Sequence, residues 1–422
     1  MRTLIKNALI VPVDREDEHY FKGNILIENG KIIEVGKTDE KADEIVDASH
    51  MIAIPGLINT HTHLAMVLMR NYKDDMENLQ AWLSQIFPIE DKLNGDDIYA
   101  ASLLGASELI MSGCTTFADM YFNYDRTLDA ARKVGIKAVL GLTIFGDEKE
   151  TEKRLADAER NMNLHQGDPR YRFDLAPHAI YTCTKGTYEM VRDFAKEHNL
   201  FVHTHLSETK KEVEDSIKEF GMTPAVYLDS INLFDARCYV AHGVHLTDQE
   251  MEILKKKNVS VAHNPSSNAK LLSGTFPLKK AINIGLNVSL GTDGASSNNN
   301  LDMFEEMHVA AMIASASGYK VKAYDILKMA TINGARALGY ENERGSIEEG
   351  KDADIVLLNT DTPSFCPLNN PVSALVFSAS SECVDTVLVN GKTVMKNRML
   401  TGIDIKSVMD RLRMQWEDIK KR

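Results

Sequence analysis

The 422-residue chain lacks several features that mark whole classes of protein, and each shortage excludes something. Cysteine is sparse. Cys114, Cys183, Cys238, Cys366 and Cys383 are scattered, odd in number and form no Cys-x-x-Cys. That usage excludes a disulfide framework and a thiolate zinc site, and it suits a reducing compartment. No apolar run is long enough to cross a bilayer. Met1-Arg2-Thr3-Leu4-Ile5-Lys6 lacks the apolar core of a signal peptide, so a cytoplasmic protein with no membrane partner is expected. Positive charge is also in deficit. A net charge of −13 leaves no basic stripe to displace counterions from a nucleic acid, which excludes that partner. The one dense basic run, Lys255-Lys256-Lys257, reads as a solvated helix end. No Gly-x-Gly-x-x-Gly loop follows an early strand, so a dinucleotide-binding sheet has no support.

What is present is an ordinary globular composition, 44% hydrophobic and 26% charged, with no low-complexity tract. The first fifty residues read as short strands, with Asn29-Gly30 as a hairpin turn. The far end repeats that texture through Ile355-Val356-Leu357-Leu358 and Thr386-Val387-Leu388-Val389, followed by Asn390-Gly391. Neither end alone has the strands for a stable core, so one composite β-sandwich built from both termini is expected. Between them, β-branched apolar runs lie near Ile52–Thr60, Thr115–Ala118, Lys137–Ile144, Arg172–Ala176, Leu200–Thr204, Cys238–Ala241, Val259–Ala262 and Leu286–Leu290. Amphipathic helical stretches separate most of them, including Ile98 to Met111, Lys210 to Phe220 and Asp248 to Lys257. Eight strands alternating with helices predict a (β/α)8 TIM barrel. The expected domains are 1–55, the N-terminal part of the composite; 56–344, the barrel; and 345–422, the rest of the composite. A solvent-facing terminal helix over Asp404 to Lys421 completes the last.

Barrel enzymes place their chemistry at the C-terminal ends of the strands. The predicted ends read His61-Thr62-His63, Asp119, Pro177-His178, His203-Thr204-His205 with Glu208 beyond, His242, His263-Asn264-Pro265 and Gly291-Thr292-Asp293-Gly294. Seven of the 13 histidines stand there, a gathering that packing alone does not require. Residues at i and i+2 of a strand face one side, so His61 and His63 can grip one ion. Imidazole and carboxylate donors suit Zn²⁺, with Fe²⁺ or Mn²⁺ as substitutes. The implied chemistry is metal-assisted hydrolysis.

The motifs Pro55-Gly56-Leu57-Ile58-Asn59-Thr60-His61-Thr62-His63, His205-Leu206-Ser207-Glu208-Thr209, Ala241-His242-Gly243-Val244-His245-Leu246, His263-Asn264-Pro265-Ser266-Ser267-Asn268 and Gly291-Thr292-Asp293-Gly294-Ala295-Ser296-Ser297-Asn298-Asn299 resemble the amidohydrolase superfamily. Within it they resemble the metal-dependent aminohydrolases acting on adenosine-type nucleosides. The resemblance covers nearly the whole chain and implies metal ligands His61, His63, His205 and Asp293. His205, three residues before Glu208, matches the family's His-x-x-Glu, which leaves His203 as outer support or packing. Many relatives bridge two metals with a lysine at the end of strand 4. Ala176-Pro177-His178-Ala179 has none, so one ion is implied.

The resemblance further implies that a metal-bound hydroxide attacks adenine C6. Glu208 would shuttle protons, His242 would orient the hydroxide, and Asp293 would take its proton. Glu90 would bind the ribose hydroxyls and His178 would contact the nucleoside, while Trp82 would wall the pocket. Glu208 and Asp293 would also touch the substrate. The expected reaction is hydrolytic deamination of a small nucleoside, 5′-methylthioadenosine, S-adenosylhomocysteine, 5′-deoxyadenosine or adenosine, to the inosine derivative and ammonia. The alternative is another aminohydrolase of the branch, acting on guanine, a pterin or an s-triazine. Relatives that accept S-adenosylhomocysteine often carry an arginine after strand 3. Val139-Leu140-Gly141-Leu142-Thr143-Ile144-Phe145-Gly146 contains none, which tilts the choice to the other adenosines. A homo-oligomer is expected from the family.

Overall fold

The computed structural model describes residues 2–164 and 167–422. Eight parallel strands line up in chain order: β1 (Leu57–Thr62), β2 (Cys114–Tyr121), β3 (Lys137–Ile144), β4 (Tyr171–Pro177), β5 (Phe201–Leu206), β6 (Arg237–His242), β7 (Ser260–His263) and β8 (Val288–Leu290). All six residues of β1 and all eight of β2 are buried. Burial on both faces is why neither run shows the apolar–polar alternation of a half-exposed strand; their polar residues, such as Asn59 and Asp119, are buried and hydrogen-bonded. Helices cover the outside, and their starts are legible in the sequence. Asn94 caps Gly95–Met111 reciprocally with Asp97, and Thr247 caps Asp248–Lys256 reciprocally with Glu250. One end of the barrel interior is filled by Ile58, Val139, Phe201, Tyr239 and Leu338, so the interior is a packed core rather than a pore.

The seam between β1 and β8 is closed largely by side chains. Asn59 donates through Nδ2 to Thr292 Oγ1 at 2.7 Å and accepts from the Thr292 N–H at 3.1 Å. Thr60 Oγ1 donates to the Leu290 carbonyl at 2.9 Å, and the Asp293 N–H donates to the His61 carbonyl at 2.9 Å. This junction brings the residues after β8 against those ending β1.

The termini build a second, nine-stranded mixed sheet. Its order is Met399–Leu400, Lys392–Lys396, Val384–Val389, Ile355–Asn359, Met51–Pro55, Arg2–Ile10, Phe21–Glu28 and Lys31–Gly36, with Glu44–Asp47 also paired to Arg2–Ile10. The two chain ends meet where Met51–Pro55 runs antiparallel to Ile355–Asn359. The sheet folds over its own apolar core of Ile5, Ile10, Ile25, Ile27, Ile355 and Leu357, among others.

Two details depart from the sequence expectation. The run Ile52–Thr60 is not one strand. It pairs in the composite sheet up to Pro55 and enters the barrel at Leu57. Gly56 makes the switch because a Cβ there would lie 2.1 Å from Thr115 Oγ1. Hydrophobicity is continuous across the break, so periodicity alone could not find it. The terminal helix, Ile405–Ile419, is not wholly solvent-facing. Leu412 and Ile419 are buried, Trp416 meets the Tyr72 ring edge-on at 5.6 Å, and Arg422 pairs with buried Asp97 at 2.5 Å.

Lys137 at the start of β3 is fully buried, with Nζ 2.7 Å from Asp352 Oδ2 and 2.6 Å from Asp354 Oδ2. These bonds tie the barrel to the chain as it returns to the composite sheet. Removing one partner of a buried ion pair strands the others, which typically costs ~3–5 kcal/mol. Lys137→Ala is therefore expected to lower the unfolding midpoint by several degrees in thermal denaturation, and an unchanged midpoint would contradict this role.

Candidate active site

The open end of the barrel gathers the histidines, and the tautomer of each follows from its outer partner. His203 stands beneath the cluster with Nδ1 3.1 Å from the Tyr239 carbonyl and Nε2 2.8 Å from His61 Nδ1. Nδ1–H of His203 therefore donates to the carbonyl, and its Nε2 lone pair accepts from His61 Nδ1–H. That leaves His61 Nε2 as a buried lone pair with no hydrogen-bond partner among the described residues. His63 Nδ1 donates to the Met120 carbonyl at 2.5 Å, and His205 Nδ1 donates to the His178 carbonyl at 2.8 Å. In all three rings the Nδ1 is committed outward, so Nε2 is left for a ligand.

Those ring nitrogens converge. The donor atoms of His61, His63 and His205 lie within 4.8 Å of one another, as do those of His61, His242 and Asp293. Asp293 Oδ1 is 3.5 Å from His61 Nε2 and 3.3 Å from His63 Nε2. The aspartate is held in left-handed backbone, φ 60°. Its Oδ2 accepts from Ser267 Oγ at 2.6 Å and its Oδ1 from the Gly294 N–H at 2.8 Å. Three convergent imidazoles with a carboxylate beside two of them fit a single divalent metal ion with room for a further ligand. With no lysine at the end of β4, these residues match one ion.

Charge at the site follows from burial and these pairings. Burial keeps His61 neutral, with its pKa lowered to about 4, and holds His205 well below the ordinary histidine value together with the surrounding imidazoles. Burial acts the same way on His63 and is the largest single influence, but hydrogen bonding and charge attraction to Asp293, with the Met120 carbonyl and Asp119, together outweigh it and lift the value to about 9. Burial disfavours the Asp293 carboxylate, yet the His61 and His63 rings hold it well below the usual range. A cation binding between His63 and Asp293 must release that proton, as metal binding generally does.

Glu208 and His242 face each other beside this cluster, with His242 Nε2 3.8 Å from Glu208 Oε2. The Nδ1–H of His242 donates to Asn268 Oδ1 at 2.8 Å, which fixes the ring with Nε2 toward Glu208. Ser273 Oγ donates to Glu208 Oε1 at 3.2 Å. Glu208 is buried rather than a surface helix-end acid, and burial raises its pKa. Burial therefore favours the protonated form of this carboxyl group more than water would, which suits a group that passes protons.

A cleft opens onto these groups. His63, His205, Glu208, His242 and Asp293 form its floor; Glu90, His178 and Trp82, all expected from the sequence, line its walls. Glu90 is the last residue of the helix Leu79–Glu90. An acid there opposes the helix dipole, and burial raises its pKa further, so its place is not explained by helix stability. Tyr121 holds it, with the phenol donating to Glu90 Oε1 at 2.6 Å. The Phe145 ring stacks on His178 at 4.6 Å between centroids. Trp82 is buried and its indole N–H has no partner among the described residues.

Sequence reasoning missed Tyr121, Phe145 and Tyr181 as cleft residues, because aromatic side chains inside and beside strands read as core. It also missed the orienting roles of Asn268, Ser267 and Ser273, which become visible only when loops after different strands meet. Asp119, at the end of β2, does not line the cleft. It accepts from the Leu64 N–H at 2.7 Å and so fixes the turn after His63. His263, at the end of β7, packs near Phe276, 5.0 Å between ring centroids, and stays out of the cleft.

His205→Ala removes one convergent nitrogen, and His203→Ala removes only the outer partner of His61. Metal analysis of purified protein is expected to find the ion lost in His205→Ala. In His203→Ala it should be retained with affinity weakened about 10- to 100-fold. Full metal content in His205→Ala would overturn the ligand set.

Residues 52–394 match the model of the amidohydrolase family. The chain is 46% identical over 419 residues to 5-methylthioadenosine/S-adenosylhomocysteine deaminase of Thermoanaerobacter pseudethanolicus, covering 97% of each chain. It is 41% identical over 432 residues to 5′-deoxyadenosine deaminase of Methanobrevibacter smithii, covering 99% of this chain and 98% of the relative. Among solved structures, an adenosine deaminase from Xanthomonas campestris with bound zinc superposes with a TM-score of 0.95 at 31% identity, covering 100% of this chain and 99% of that one. The barrel with its composite sheet, the convergent nitrogens and these likenesses agree, and the chain belongs to the amidohydrolase family.

Proposed function

We propose that the protein hydrolytically deaminates 5′-substituted adenosines, giving the inosine derivative and ammonia. The observation that carries this reading is the cleft itself. Three inward-facing imidazoles and Asp293 stand on one side with Glu208 and His242 beside them, and a half-buried acid, Glu90, lines the same space. The names of the relatives support the same activity.

His61, His63, His205 and Asp293 would hold one divalent ion, Zn²⁺ by the chemistry of the donor set. Bound there, the ion acts as a Lewis acid and lowers the pKa of a water to about 7. Glu208 takes a proton from the attacking water and delivers it to the ring nitrogen beside C6. His242, fixed through Asn268, orients the attacking oxygen and stabilises the negative charge that develops on it. Asp293 takes the second proton, which leaves with the amine as ammonia. Glu90 accepts hydrogen bonds from the two ribose hydroxyls, and Phe145 stacked on His178 offers the nucleoside a flat wall.

The cleft lining contains no lysine or arginine among the described residues; Leu79, Leu83, Phe87, Phe122 and Tyr181 supply apolar surface instead. A zwitterionic amino-acid tail would find no cation for its carboxylate. That supports 5′-methylthioadenosine, 5′-deoxyadenosine and adenosine over S-adenosylhomocysteine as substrates. Five free thiols, four of them buried, suit a reducing cytoplasmic setting, and the family likeness supports a homo-oligomer.

Loss of adenine absorbance tests the reading directly. Metal-replete protein should turn over 5′-deoxyadenosine and 5′-methylthioadenosine at least tenfold more efficiently than S-adenosylhomocysteine. Inactivity on every adenosine would overturn the activity. Glu208→Gln should abolish turnover with metal retained. Glu90→Gln removes a charged acceptor worth about 1.5–3 kcal/mol, so KM for the nucleosides should rise tenfold or more. Turnover of guanine, a pterin or an s-triazine, unaffected by that change, would point instead to an enzyme acting on free bases.

A further inference from the structure

Three residues carry the chain from β5 round the barrel mouth to the helix Lys210–Phe220: Ser207, Glu208 and Thr209. Ser207 is left-handed, φ 48°, a conformation that costs L side chains energy. Thr209 caps the helix, its hydroxyl oxygen accepting from the Glu212 N–H at 3.1 Å. In the reciprocal form of this cap, the acid three residues into the helix returns to the N–H of the capping residue. Glu250 does so for Thr247 elsewhere in this chain, at 2.8 Å.

Glu212 reaches past Thr209 instead. Its Oε1 accepts from the Ser207 N–H at 2.9 Å and its Oε2 from the Glu208 N–H at 2.8 Å. The side chain is only 5% exposed, so water offers these two N–H groups little alternative. Two oxygens of one acid on two consecutive N–H groups make a two-point clamp. On the other side, the Ser207 carbonyl accepts from the His245 N–H at 3.0 Å. Both peptide units flanking Ser207 are thereby fixed. Held in this way, the turn delivers the Glu208 carboxyl group inward, to Ser273 and His242, rather than outward from the helix end. A cap alone requires neither the clamp nor the left-handed residue, since Thr209 already supplies one.

We propose that Glu212 is a positioning residue for the deamination: it imposes the left-handed turn at Ser207 and so sets where the Glu208 carboxyl group stands in the cleft. This rests on Glu208 being the proton carrier of the function proposed above. Glutamine at 212 keeps the volume but turns an NH₂ group onto one backbone N–H, so half the clamp is lost.

The test compares Glu212→Gln, Thr209→Ala and the double variant Ser207→Gly/Glu212→Gln, using kinetics on 5′-deoxyadenosine, metal content and thermal unfolding. Glu212→Gln is expected to lose at least tenfold in kcat, with KM within threefold and metal content unchanged. Thr209→Ala, which removes the cap and leaves the clamp, should unfold at lower temperature with kcat within twofold. Glycine adopts the left-handed turn freely, so Ser207→Gly should recover at least threefold of the kcat lost in Glu212→Gln. A loss in Glu212→Gln of less than tenfold, an equal loss in Thr209→Ala, or no recovery in the double variant would overturn the proposal. Should Glu212→Gln not fold, the double variant is read against Ser207→Gly with the same tenfold threshold. A parent chain inactive on every adenosine would sink the functional reading and this inference with it; near-normal turnover of Glu212→Gln would sink this inference alone.

Discussion

The seam between the first and last barrel strands is the constraint on which the site depends. Asn59 holds both the side chain and the backbone of Thr292, and the His61 carbonyl accepts from the Asp293 N–H. These bonds join segments more than 230 residues apart in sequence. Without them, the His61–His63 pair and Asp293 would belong to opposite edges of an open sheet. The bonds that close the barrel therefore also assemble the ligand set. A polar side chain such as Asn59, which looks like an intruder in a buried strand, is the means by which that strand meets its partner.

The second constraint is electrostatic. Burying several imidazoles and carboxylates at one barrel mouth is costly unless each is matched by a partner. The structure meets this by giving each ring's Nδ1 a defined acceptor: His203 for His61, the Met120 carbonyl for His63, the His178 carbonyl for His205 and Asn268 for His242. Each commitment also fixes a tautomer. The inward nitrogens are left with few protein partners: among the described residues His61 Nε2 has none, and His63 Nε2 faces Asp293. A buried polar atom without a partner is a cost in the free protein and an invitation to a cation.

The cleft above the cluster divides its labour by side-chain type. Carboxylates stand where protons or hydroxyls are handled, and aromatic and aliphatic groups form the remaining walls. Glu90 at a helix C-terminus and Asp293 in left-handed backbone are both placed against local preference. Local rules failing at sites of chemistry is expected, because the backbone there is arranged for the ligand rather than for its own stability.

Much of this was legible in the amino-acid order. The eight apolar runs, the helix caps, the His-x-His pair and the Gly-Thr-Asp-Gly turn depend on neighbours a few residues away, where period and spacing carry the information. The candidate ligands, Glu208 and His242 were likewise readable, since strand ends bearing histidine are unusual and the motifs resemble a known family. Other features were decided only by tertiary structure. Gly56 ends one sheet and starts another inside an unbroken apolar run, because Thr115 occupies the space its side chain would need. Tyr121 was indistinguishable from core until it met Glu90, and His203 could be assigned as the partner of His61 only once the barrel brought β5 to face β1. The sequence by itself determined which residue types stand at the ends of the strands, because hydrophobic period and turn chemistry are local. Which of those residues share a point in space was decided by closure of the barrel, through contacts between positions far apart in the chain that no local pattern records.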